Sequence, residues 1–211
     1  MSYSQQGWYR LNREQSNGVL AKLGNNRDAI VFSKEATEVC WRPLEFYDRF
    51  KVFRLVNYAT MPTFSMYYLS NDEEFITVDG TANPIYTVND KAPVKLTESN
   101  VVSYLEFFFK NVQGSEGEVI LIKDNKRLPF ADVLNDKQRI ALFNGFKPIE
   151  IKSQGNKGFK IQATMFYGGA IIISQIQVGL NGQLSFLEQN LLMTGIHLPD
   201  TIYDQQASVE G

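Results

Sequence analysis

Between Lys160 and Glu188 the chain runs 27 residues without a charged side chain, and its apolar residues alternate and turn back at Gly168-Gly169 and Asn181-Gly182. Alternation at period two sends successive side chains to opposite faces of a strand. Here both faces carry large apolar residues, so water must be kept from both sides of the resulting sheet. The stretch is long enough to span a membrane as a helix, but Gln162, Thr164, Gln175, Gln177, Asn181 and Gln183 interrupt it too often for that reading.

A two-residue turn at Gly168-Gly169 sets Tyr167 against Ala170, Met165 against Ile172, Ala163 against Ser174, Ile161 against Ile176 and Phe159 against Val178 on a first face. The second face then pairs Phe166 with Ile171, Thr164 with Ile173 and Gln162 with Gln175. Read as a two-residue type I′ turn, Asn181-Gly182 brings Leu187 opposite Ile176 and Phe186 opposite Gln177. Upstream, a three-residue loop Asn156-Lys157-Gly158 places Ile149 and Ile151 on the first face, where a two-residue turn would place Glu150; burial favours the longer loop. The outcome is a four-stranded antiparallel meander over about 148–193.

The best helix precedes it, over about 97–113. Thr97 is the expected N-cap and Gly114 the expected C′ residue. Val101, Leu105, Phe108, Phe109 and Val112 form its core stripe, widened by Val102, Tyr104 and Phe107. Asn100, Ser103, Glu106, Lys110 and Gln113 form the wettable strip, with Glu106 and Lys110 spaced for an i,i+4 ion pair. This helix is the natural cover for the first face. The fold class is therefore α+β: a meander packed on one long helix, preceded by a β-rich N-terminal subdomain.

That subdomain is expected over about 1–88, with strands near 28–33, 50–58, 63–69 and 73–79 and a helix near 8–16. Segment 80–96, carrying Pro84 and Pro93, reads as the joint to a helix-plus-meander subdomain over 97–198. Residues 118–123 read as a strand, 135–144 as either helix or strand, and 199–211 as a polar, fraying tail.

The charge balance excludes some partners. Net charge is −2, with 21 Lys and Arg against 23 Asp and Glu, which lacks the strongly basic footprint of a nucleic-acid binder. Lys147, Lys152, Lys157 and Lys160 with Phe146 and Phe159 are too few to reverse that. A single cysteine, Cys40, allows no intrachain disulfide, and no basic-then-apolar leader opens the chain. The expectation is a soluble cytoplasmic protein.

Searches for reactive constellations return little. One histidine, His197, and one cysteine cannot make a multi-histidine or multi-thiolate metal site, so no metal or cofactor is expected. A Cys40–His197 pair oriented by Asp200 is the only nucleophilic arrangement on offer; a buried, inert Cys40 is the simpler reading. Gln154-Gly-Asn-Lys-Gly-Phe-Lys has the composition of a phosphate cradle but precedes a strand, not a helix. Trp41, Arg42, Tyr47, Arg49, Arg54, Tyr58, Tyr67 and Tyr68 mix arginine and aromatics as binding surfaces do, and also as sheet rims do.

In outline, the helix over 97–113 followed by a curved meander resembles the cystatin-like and nuclear-transport-factor-like architectures, which host unrelated functions. The resemblance implies an apolar pocket between helix and sheet, near Tyr104, Phe108, Met165 and Tyr167. Two functions are therefore expected in competition. One is a non-catalytic binding or assembly module, a homodimer joined through Phe166, Ile171, Ile173 and Phe186 on the second face. The other is a small-molecule binder or small enzyme that takes an apolar ligand in the helix–sheet pocket.

Overall fold

A computed structural model of the protein describes the backbone of residues 2–3 and, in full, residues 7–24, 30–125, 128 and 130–197. The expected tail, Asp200 and part of the expected strand at 28–33 lie outside the described residues. The chain divides into two compact units, Met1–Lys95 and Leu96–Gly211, within an α+β fold.

Unit 1 is a six-stranded antiparallel sheet in sequential order: β1 (Ser2–Tyr3), β2 (Tyr9–Arg10), β3 (Thr37–Pro43), β4 (Lys51–Asn57), β5 (Phe64–Ser70) and β6 (Phe75–Thr77). Helix α1 (Arg13–Leu23) starts at a capping box in which Asn12 and Gln15 bond reciprocally, satisfying two otherwise orphaned amides. Leu20 and Leu23 of α1 join Val39, Phe53, Leu55 and Tyr68 in one buried cluster. Segment 80–96 holds a helix, α2 (Asn83–Lys91), with Pro84 in the first turn and Ile85 and Val88 buried. Proline is tolerated there because its missing N–H would have been unpaired anyway.

Unit 2 opens with α3 (Val101–Asn111), whose Tyr104, Leu105, Phe107, Phe108 and Phe109 are all buried. Its N-cap is Asn100, without a side-chain cap bond; Thr97 instead accepts the Val101 amide through its backbone carbonyl. Gly114 does not close the helix. It belongs to a short hairpin, β7 (Gln113–Gly114) with β8 (Gly117–Glu118), and is needed because a Cβ there would lie 2.4 Å from the Tyr167 hydroxyl. Glu106 pairs with Lys123 at 2.7 Å, a partner beyond the reach of helix spacing arguments.

The main sheet of unit 2 comprises β9 (Ile120–Leu121), β10 (Glu150–Gly155), β11 (Gly158–Tyr167), β12 (Ala170–Val178) and β13 (Leu184–Met193). Strands β10 to β13 run in sequential antiparallel order and β9 pairs with β11 beside β10. The β11–β12 register has Tyr167 opposite Ala170 and continues without a break to Phe159 opposite Val178, as the alternation requires.

The two flanking hairpins depart from the simplest turns. The last one closes through Leu180-Asn181-Gly182: Gly179 donates to Gln183, Gly182 donates to Gly179, and Gly182 takes φ +78°. This is a three-residue loop whose third position needs the left-handed region open to glycine. One residue is thereby added, so Phe186, not Leu187, faces Ile176; a bulge at Leu187 then sets Glu188 opposite Gln175. At the first hairpin the tip is the tighter one, with Gly155 opposite Gly158, and a bulge at Lys152 places Ile151 opposite Ile161. The face expected for Ile151 is kept, but through a bulge in the strand and not through a longer turn.

Over its central strands, β11 and β12, both faces of the sheet are covered within the unit. On the first, the Phe109 ring stacks on Phe186 at 6.1 Å and the Tyr104 hydroxyl bonds the Gly182 carbonyl. On the second, Phe130 packs on Phe166 at 4.8 Å, and Ile122, Leu134, Leu142 and Ile196 enclose Phe166 and Ile171. Thr164, fully buried on that side, both receives from and donates to the backbone of Lys147. The wet end of this face carries Gln175 bonded to Glu188 at 2.8 Å.

Candidate functional site

Segment 120–147, which covers the second face, contains α4 (Asp136–Gly145). Asn135 caps it, accepting from the Gln138 amide while the Gln138 side chain accepts from the Asn135 amide. Leu142 points inward and is buried. Ile140 and Phe143, three residues apart and so on one side of the helix, are 62% and 67% exposed. They form the outer wall of a groove of about 410 Å³ whose buried floor includes Leu134 and Leu142. Arg139 lines the same groove, its Nε donating to the Leu134 carbonyl at 3.0 Å. The groove thus combines exposed apolar side chains with one arginine held in place by a backbone carbonyl.

Next to α4 lies β13. It is the last strand in the sheet order, so one of its edges has no strand partner among the described residues. Its seven central residues, Ser185 to Leu191, are exposed, and Glu188 is its only charged residue. Phe186, Leu187 and Leu191 all present more than two fifths of their surface to solvent. Natural edge strands usually carry Lys, Pro or other devices that prevent pairing with another chain. The bulges at Leu187 and Leu192 are the devices present here, and between them Glu188–Leu191 is regular.

Of the pocket expected at the helix–sheet junction, Tyr104, Phe108 and Met165 are buried. The Tyr104 and Phe108 rings lie 6.5 Å apart. Tyr167 is half-buried, and its hydroxyl accepts from the Glu116 amide at 3.0 Å. Of the four residues expected at a dimer interface, Phe166 and Ile171 are covered by the chain's own 120–147 segment, Ile173 is half-buried, and Phe186 belongs to the α3 face. Sequence reasoning missed the α4 groove. Asn135-x-x-Gln138 was the signal that could have found it, since a capping box marks a helix start and turns Ile140–Phe143 from strand into helix.

Reactive groups elsewhere are quiet. The Cys40 thiol is buried and donates to the Glu38 carboxylate at 3.6 Å. Burial and the neighbouring carboxylate push its pKa to about 11, opposite to the shift a nucleophilic cysteine needs. The arginines and aromatics of unit 1 serve each other: Arg42 and Arg54 lie 5.0 and 5.3 Å from the Trp8 ring, Lys51 lies 4.8 Å from Trp41, and Tyr9 stacks on Trp41. Among the described residues no group of three or more His, Cys, Asp or Glu is placed to hold a metal, and no helix is long and apolar enough to cross a membrane.

Comparison with known proteins finds no matching family model, no matching curated protein and no matching solved structure.

Proposed function

We propose that the chain is a non-catalytic assembly module that self-associates through the outer edge of β13. The observation that carries this reading is a ten-residue edge strand with Phe186, Leu187 and Leu191 exposed and a single charge. An antiparallel pair of such strands about a two-fold axis is self-complementary, the commonest form of homodimer. Main-chain bonds along Glu188–Leu191 would supply register, and burial of the three apolar side chains on each copy would supply affinity. The Phe166–Ile171 surface has less support as the interface, since the same chain already encloses it. A ligand at Tyr104, Phe108, Met165 and Tyr167 also has less support, because three of these side chains are buried and the Tyr104 hydroxyl is committed to Gly182.

Light scattering across the micromolar range tests the proposal. The expected mass is twice the 24.0 kDa of one chain. Leu187→Lys with Leu191→Lys, both exposed, should return it to a single chain whose melting temperature no longer rises with protein concentration, because lysine on an edge opposes strand addition. A wild-type protein that stays at one chain throughout the range overturns the reading.

A further inference from the structure

The sheet of unit 1 gathers its arginines on one face. The register sets Arg10, Cys40, Arg54 and Tyr67 in one row across β2 to β5. Glu38 and Arg42 stand two residues to either side of Cys40 and so share that face. Within the described strands the face holds three arginines and one carboxylate. Glu38 is already engaged, with Arg10 at 2.7 Å and with the Cys40 thiol. Positive charge is therefore in excess where Arg42 and Arg54 meet.

Both guanidinium groups lie over the Trp8 ring, 5.0 and 5.3 Å from its centroid. Trp8 is buried and the two arginines are half-buried, so the indole is a floor beneath the cations. Stacking on the ring orients a planar guanidinium without using up its N–H donors. The Arg42 Nε is buried and has no hydrogen-bond partner among the described residues, whereas a buried donor ordinarily has one. Like charges on neighbouring positions of one sheet face also repel. An oxyanion of phosphate type answers all three demands. It offers acceptors to two guanidinium edges, fills the vacant donor and brings two negative charges against two cations. A carboxylate carries only one.

We propose that Arg42 and Arg54, seated on Trp8, form a binding site for a dianionic phosphate group, free or carried on a small ester. The site lies wholly in unit 1 and makes no use of the β13 edge, so it stands or falls separately from self-association.

Titration of the full chain with inorganic phosphate at constant ionic strength tests this, followed by NMR of the arginine Nε–H and indole N–H groups. Saturable shifts are expected at Arg42, Arg54 and Trp8, and none at Trp41, which alternates to the other side of the sheet. Arg42→Gln should weaken phosphate binding by about tenfold. Arg42→Lys, which keeps the charge but not the fork, should weaken it by a smaller factor. Lys51→Gln makes the same charge change on the opposite face, beside Trp41, and should leave the affinity within about twofold. Acetate should bind about tenfold more weakly than phosphate. Phenyl phosphate binding more tightly than inorganic phosphate assigns the site to an ester, and equal binding assigns it to the free ion. Absence of a saturable shift at Arg42 overturns the proposal. Equal losses in Lys51→Gln and Arg42→Gln overturn it too, reporting only a general field, as does acetate binding as tightly as phosphate. Unchanged affinity in Arg42→Lys overturns it even where Arg42→Gln does not fold.

Discussion

The hydroxyl of Tyr104 on α3 donates to the carbonyl of Gly182 at 2.7 Å, across 78 residues of sequence. Tyr104 is fully buried, so the bond joins the covering helix to the loop that closes β12 onto β13. Tyr104→Phe preserves the packed ring but leaves a buried carbonyl without its donor. Loss of about 1–3 kcal/mol is expected, read as a lower urea midpoint with the m-value unchanged.

Phe166 and Phe186 are alike in sequence, both aromatic residues in a charge-free run, yet their surroundings differ. Phe166 is 4% exposed beneath Phe130, whereas Phe186 is 45% exposed at the sheet edge. Phe166→Ala should therefore cost about 3–5 kcal/mol in chemical denaturation. Phe186→Ala forfeits only part of one stacking contact with Phe109 and should cost about 1 kcal/mol. Similar losses for the two would contradict coverage of the second face by the 120–147 segment.

How much of this was legible depends on which forces are local. The β11–β12 register was readable because both its faces are apolar, and a slip of one residue would exchange them all. The bulges at Lys152 and Leu187 were not readable, since no residue type in either strand marks where the extra residue is inserted. Thr97 and Gly114 look like helix caps by residue type alone, but Gly114 answers to the Tyr167 ring, which is distant in sequence. Helices α1 and α4 carry local start signals, Asn12-x-x-Gln15 and Asn135-x-x-Gln138, which the expectation of a helix near 8–16 and the open reading of 135–144 did not use; α1 instead runs Arg13–Leu23. The α4 groove stayed hidden because Ile140 and Phe143 read equally as strand core, and only the helix turns them outward.

Asp79, just ahead of α2, accepts from both the hydroxyl and the amide of Thr81, at 2.7 and 2.9 Å. These bonds favour the charged form, the hydroxyl first, and hold the carboxyl below its usual 3.8. A depressed folded pKa contributes stability that is present above the unfolded value and is lost as pH falls through the folded one. Thr81→Val should move the Asp79 titration, followed by NMR, back toward 3.8, and should weaken the acid dependence of melting only below that pH. Because the carboxylate is exposed, little change in stability at neutral pH is expected.

Cys40 shows the reverse sign. Its thiol is raised from 9.0 to about 11, by burial first and by the Glu38 carboxylate second, with Arg54 and Arg10 opposing. The folded protein holds this proton more tightly than the unfolded chain. The corresponding stability is complete below the unfolded pKa and drains as pH rises from 9 toward 11. Two outcomes are expected. Iodoacetamide should label the native thiol roughly a hundredfold more slowly than the unfolded one at pH 8, since reaction runs through the thiolate. The stability of wild type relative to Cys40→Ala should also shrink as pH climbs through that window. Rapid labelling of folded protein at pH 8 would mean that Glu38 and burial do not hold the proton, and would return Cys40 to the list of reactive groups.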